Sequence, residues 1–330
     1  IVLIAAALAL QGCFQLRTPE AVLKEHDRLQ QKLSVQIDIS SASSFTGNVG
    51  AALRSIDAQL SPLPEAYRHK IARIAVRDGF LLEYALLAPI VGAYTDSDGT
   101  VYVRNANITK ALQSALIFPH GDLLLHEAMH SVHYWELRHW KQTGSPTPEF
   151  ARFIRGWELQ YFGDVNGDGR IDEADSAFIE GNPHLFDLNG DHVVDFRDVE
   201  IAVGRPYVQA RWVSPEGLSL LMRMSLSSVA PRPKGFASAY ARTYAWEDAA
   251  ETIRYAWSTG MLPALYSSQT PSDKSASAWA GLASLQRSDP LLARKVVLVA
   301  RYLADHERPE NLNSLWTDYA ARNFGTLTVR

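Results

Sequence analysis

A single cysteine, Cys13, stands in a chain of 330 residues, so no internal disulfide can form and the fold must rest on packing and on any bound ions. Charge of one sign is also scarce. Lys and Arg number 32 against 36 Asp and Glu, for a formal net charge of −4, and no long basic run breaks the balance. The electrostatic footprint of a nucleic-acid binder is therefore missing. The N-terminal apolar stretch "IVLIAAALAL" stops after residue 10, too short to cross a bilayer. What is present, 47% hydrophobic and 21% charged residues, suits an ordinary globular protein that buries a full core, with room for one catalytic unit and a small extra module.

The apolar stretch leads into "QGC" and then into the polar "QLRTPEAVLKEHDRL", the order of a secretory signal's h-region and its end. Residues 1–12 are expected to be such a signal, truncated because neither an initiator Met nor a basic segment precedes it. Cys13 after "LQG" resembles the lipobox of bacterial lipoproteins, in which the signal is cleaved before the cysteine and the cysteine is lipidated; Gln11 departs from the usual small or aliphatic residue. The resemblance implies an extracytoplasmic protein anchored to a membrane by more than one acyl chain. A plain cleaved signal or an apolar N-terminal helix are the alternatives.

The stretch "PHGDLLLHEAMHSVHYWELRHW" (119–140) holds five histidines. Asp122 can cap a helix whose apolar positions Leu124, Leu125, Ala128, Met129, Val132 and Trp135 recur at helical spacing, and Gly144, Pro146 and Pro148 end it. Residues four apart share a helix face, so His126 and His130 can reach one ion while Glu127 points at its open position. This is the HExxH zincin motif, here "HEAMH". An amphipathic core helix with incidental histidines is the bland reading. His133 lies one turn on, where a third ligand from a straight helix would have to lean back, and it is expected to be a neighbour of the site or a hydrogen-bonded core residue. His120 and His139 lie off this face, as ordinary helix-end residues.

Zincin subfamilies differ in the third ligand. The metzincin spacing needs Gly and His where this chain has His133 and Glu136, and the thermolysin spacing needs Glu where it has Phe150, with Glu149 one position off. Downstream, Glu247, Asp248 and Glu251 open a helix with Ala249, Ala250, Ile253 and Ala256 at apolar positions. Glu247 and Glu251 share a face, so one can bind zinc while the other accepts a ligand histidine's free N–H. A solvated acidic helix start is the alternative.

The string "FASAYARTYAWEDAAE" (236–251) resembles the Glu-ligand segment of a group of secreted zinc metallopeptidases that includes anthrax lethal factor and many bacterial zinc-binding lipoproteins. "GAYTDSDGTVYVRN", "LLLHEAMHSVHY" and "SDPLLARKVVLVARYL" are similar to the same group, so the likeness spans roughly residues 50–320. It implies that Glu247 is the third zinc ligand, that Glu251 supports a ligand from behind, and that the Tyr240 phenol hydrogen-bonds the developing oxyanion. Tyr244 replaces the family's Asn.

Between these halves lies an internal repeat of two acidic loops in residues 163–204. Asp164, Asn166, Asp168, Asp172 and Asp175 fall at positions 1, 3, 5, 9 and 12 of an EF-hand-type calcium loop, with Gly169 at position 6, where a positive φ is needed, and Arg170 offering its carbonyl at 7. Asp187, Asn189, Asp191, Asp195 and Asp198 repeat the pattern, with Val193 at 7 and His192 at the glycine position, where a left-handed backbone is expected to strain the loop. Asp at position 12 and paired loops resemble dockerin modules, which implies two Ca²⁺ and a cohesin-like partner. Loop positions 10 and 11, Glu173 with Ala174 and Phe196 with Arg197, are not the small hydroxyl pairs of many cohesin binders, so a calcium-folded structural insert is favoured over docking.

The expected architecture is α+β: a mostly helical zincin-type domain with a small sheet, carrying an all-α dockerin-like insert. Residues 13–48 form a segment after the lipidation site, 49–162 the first part of the zincin domain, 163–204 the insert and 205–330 the second part. Helices are expected from "AALRSIDAQLSPLPEAYRHKIARIAV" (51–76) and strands near 92–104, with Thr100–Val103 offered to an extended peptide by β-addition. The function the resemblance implies is a zinc metalloendopeptidase, with one Zn²⁺ polarising the scissile carbonyl and its water, Glu127 as base and Tyr240 at the oxyanion. The alternatives are a catalytically silent scaffold serving as a calcium-dependent surface binding protein, and zinc chemistry on a substrate other than a peptide.

Overall fold

The computed structural model describes residues 19–40, 46–77, 93–104, 123–162, 165–168, 173–187, 190, 192, 235–238, 241 and 245–324. These residues are mostly helical, with one small four-stranded sheet, an α+β composition. By contact the chain divides into two units, 1–135 and 136–330, the boundary falling inside a helix, Leu123–Thr143.

In the first unit, helix α1 (Pro19–Leu33) buries Val22, Leu29 and Leu33, and helix α2 (Thr46–Leu60) buries Val49, Leu53, Ile56 and Leu60 along one stripe. Their C-terminal ends are tied by Arg68, at the end of the short helix α3 (Glu65–Arg68). Its guanidinium donates to the carbonyls of Leu33, Ser61 and Leu63, groups that helix ends otherwise leave unmet.

The sheet runs β1 (Ile37–Asp38), β2 (Arg73–Arg77), β4 (Thr100–Arg104), β3 (Ala93–Thr95). β2 is parallel to both β1 and β4, and β3 is antiparallel to β4 across the Asp96–Gly99 turn. The helical expectation for 51–76 fails at its end, where "RIAVR" is a central strand. Ile74, Ala75 and Val76 are buried in succession, a pattern that suits a strand covered on both faces, and the branched side chains suit a strand better than a fourth helical turn. A second correction follows from strand order. β4 is paired on both sides, so Thr100–Val103 has no edge to offer a peptide; among the described residues the outer strand on that side is β3.

Helix α4 (Leu123–Thr143) buries Leu124, Leu125, Ala128, Met129 and Val132 along one stripe. Ser131 Oγ donates to the Gly99 carbonyl at 2.5 Å and accepts the Ala72 N–H at 3.1 Å, so one hydroxyl ties α4 to the β3–β4 turn and to the entry of β2. Gly144 ends the helix at φ +81°, its N–H donating to the Trp140 carbonyl at 2.8 Å.

In the second unit, α5 (Pro148–Phe162) packs on α10 (Pro290–Ala304) through Phe150 and Phe153 against Tyr302, with Trp157 beside Phe153. The helices approach so closely that a Cβ on Gly156 would meet Leu298 Cδ2 at 2.7 Å. Two short helices follow, α6 (Glu173–Gly181) and α7 (Pro183–Phe186). Helices α8 (Ala245–Ser258), α9 (Ser272–Ser288) and α11 (Ser314–Phe324) complete the unit, with α8 and α9 both against α10, whose residues are buried almost throughout. No helix of the described residues is long and apolar enough to cross a membrane.

Candidate metal centre

Opposite its apolar stripe, α4 carries His126 and His133, both buried, and His130, half-buried. The one-turn spacing brings the Nε2 atoms of His126 and His130 to 3.0 Å, with the rings edge to face. Two nitrogens bound to one tetrahedral zinc at ordinary Zn–N lengths stand about 3.3 Å apart, so the pair is close to ligand spacing. The His133 ring lies 6.1 Å from that of His130.

Glu127, also buried, is held from the sheet. Thr95 Oγ1, at the end of β3, lies 2.8 Å from both the Glu127 carbonyl and its Oε2. Thr95 and Glu127 are separated by 32 positions, and nothing in the spacing of the sequence ties them.

Helix α8 overturns the solvated reading of the acidic segment. Glu247, Asp248 and Glu251 are 4%, 0% and 3% exposed, and carboxylates do not bury to that extent without a cation or dense hydrogen bonding. Asp248 pairs with Lys295 of α10 at 2.5 Å, both side chains fully buried, and Glu251 pairs with Arg254 at 2.8 Å. The Lys295 ammonium also donates to the Gly235 carbonyl at 2.7 Å and sits 3.9 Å from the centre of the Phe236 ring. Burial lowers its proton affinity below the ordinary lysine range against the opposing pull of Asp248 and Asp289. Lys295 was not legible as a partner: it is an unremarkable basic residue in a helix until the fold sets Asp248 beside it, whereas Arg254 follows Glu251 by three positions on one helix.

The ligand atoms of His126, His130 and Glu247 all lie within 4.8 Å of one another, a group that could hold a metal ion. Two imidazole nitrogens and a carboxylate oxygen form the donor set of three-ligand catalytic zinc sites, and they contrast with the all-oxygen shells of calcium and magnesium. The burial of Glu247 fits as well, since a cation supplies the charge that a carboxylate out of water requires. His133 and Glu251 are not members of the group. Glu136, at the metzincin position, is tied instead to Thr147 at 2.8 Å and Tyr302 at 3.3 Å, and Glu149 sits in the first turn of α5.

In the acidic repeat, Gly167 and Gly190 stand at the same place in the two segments and share a φ of +77°. Asp187 accepts the Gly190 N–H at 2.8 Å and the His192 N–H at 3.0 Å, and Asn166 accepts the Asp168 N–H at 2.9 Å. His192 adopts φ +66°, so the loop takes the left-handed turn at that position despite the side chain. The Asp175 backbone lies in α6. Asp164, Gly169, Arg170, Asp172, Asn189, Asp191, Val193, Asp195, Phe196, Arg197 and Asp198 fall outside the described residues, as do Cys13, His120, Asp122, Tyr240 and Tyr244.

No family model, curated protein or solved structure matches the chain.

Proposed function

We propose that the chain is an extracytoplasmic, lipid-anchored zinc metallopeptidase, with His126, His130 and Glu247 holding the metal. The observation that carries the reading is the convergence of these three donors within 4.8 Å, with the buried Glu127 carboxylate beside them on the same helix. Zinc bound there supplies a Lewis acid that polarises a carbonyl and makes water a nucleophile near neutral pH. The remaining work falls to the chain. Glu127 removes the proton from the attacking water and returns one to the departing amine, so that a peptide C–N bond is exchanged for an acid and an amine. Tyr240, by resemblance, donates to the oxyanion. The outer strand β3 ends at Thr95 beside Glu127, and an extended peptide adding to it would pass the base.

The insert is proposed as a calcium-folded module that binds two ions through the two loops; the shared φ at Gly167 and Gly190 supports a common loop geometry. Phe178 and Leu185, 36% and 55% exposed on α6 and α7, favour a second reading, in which a silent scaffold binds a cohesin-like partner through the insert.

Metal analysis of wild type and Glu247→Ala, together with peptide-library cleavage by wild type and Glu127→Gln, tests the proposal. Wild type should hold one zinc and cleave, Glu247→Ala should lose zinc, and Glu127→Gln should keep zinc while its rate falls at least about 100-fold. Full zinc occupancy in Glu247→Ala sinks the ligand set; cleavage unaffected in Glu127→Gln sinks the mechanism.

A further inference from the structure

Thr95 is the last residue of β3, with Ala93 and Thr95 buried on one face of the strand and Tyr94 turned to the other, where it stacks on Tyr102 at 4.6 Å. This alternation sends the Thr95 hydroxyl towards α4, where two oxygens of Glu127 lie at 2.8 Å. A hydroxyl has one proton to give. An ionised carboxylate is a stronger acceptor than an amide carbonyl, so the proton goes to Oε2.

A second bond keeps the hydroxyl in place. Glu127 and Ser131 are four apart on α4 and share a face, and Ser131 Oγ holds the Gly99 carbonyl at 2.5 Å. The β3–β4 hairpin is thus fastened to one helix face at both its strand end and its turn. Thr95 is 4% exposed, and water does not replace it freely.

We propose that Thr95 is a positioning residue for the base: it holds Glu127 Oε2, so that Oε1 is the oxygen presented to the water whose proton is removed. The assignment of Oε1 as base rests on the metallopeptidase reading; the hold on Oε2 does not. A consequence is that the strand on which a peptide would add and the base that activates the attacking water are tied through Thr95, so that occupancy of β3 and alignment of Glu127 are set together.

The test uses the full zinc-loaded chain as wild type, Thr95→Val and Thr95→Ser. Valine keeps the shape and loses the donor, and serine restores the donor. Expected for Thr95→Val is a fall in kcat of about 10- to 100-fold with KM within about twofold and unchanged zinc content; Thr95→Ser should recover most of the loss. Crystal structures of wild type and Thr95→Val should show the Glu127 carboxylate turned away from its wild-type rotamer in the variant. An unmoved carboxylate overturns the proposal, as does a loss of rate that serine fails to rescue or that merely tracks lost zinc. If zinc-loaded wild type cleaves no peptide, the metallopeptidase reading falls, and the Glu127 rotamer still decides whether Thr95 holds it.

Discussion

Gly235 is constrained on every side. Its φ is +82°, its N–H is accepted by both oxygens of Asp289 at 2.9 and 3.1 Å, and its carbonyl takes the Lys295 ammonium. A Cβ there would run into Leu291 Cδ2. Leu291 can swing part of the way aside, but the left-handed backbone strains any L side chain regardless of space. Gly235→Ala is therefore expected to cost about 2 kcal/mol, read as a lowered urea midpoint with an unchanged slope. Single residues show where the sequence was readable. His126 and His130 were legible because helical spacing alone puts them together. Thr95 and Lys295 were not, because each matters through a partner that only strand or helix packing brings near. Glu251, expected to support a ligand histidine, also pairs with Arg254 within its own helix.

Helices α8 and α10 are joined by an ion pair removed from water, and the sign of its contribution depends on how it is broken. Taking away one partner leaves an uncompensated buried charge, whereas replacing both with apolar groups removes two desolvation penalties with the attraction. Lys295→Met should destabilise by about 3–5 kcal/mol, and Asp248→Leu with Lys295→Met by markedly less. The double variant should stop short of full recovery, because the Gly235 carbonyl also loses its donor. Chemical denaturation of both single variants and the double checks this, and equal losses in Lys295→Met and the double variant would contradict it. Elements with a long apolar period, α4 and α8, could be read from sequence. β2 could not: five residues following a helical pattern carry little periodicity of their own, and their strand state depends on β1 and β4 supplying hydrogen bonds from either side.

Across the whole chain, the three donors sit at positions 126, 130 and 247, with the acidic repeat of residues 163–204 between the second and the third. An ion held by residues so far apart in sequence has no preformed site in the unfolded chain, so its binding free energy adds to folding free energy. At a free metal concentration about 100 times the dissociation constant the gain is about 2.7 kcal/mol, which for a chain of this size is a rise in Tm of several degrees. A zinc-selective chelator should therefore lower the Tm of wild type by several degrees and leave that of Glu247→Ala nearly unchanged, since the variant has already lost the ion. A calcium-selective chelator should act elsewhere, making residues 163–204 sensitive to proteolysis while zinc content stays constant, because hard oxygen loops and the imidazole pair choose different ions. Scanning calorimetry of both proteins with each chelator separates the two effects. An equal drop in wild type and Glu247→Ala under the zinc chelator would show that stability does not flow through this carboxylate, and a calcium chelator that left the insert resistant would remove the calcium reading while leaving the histidine site standing.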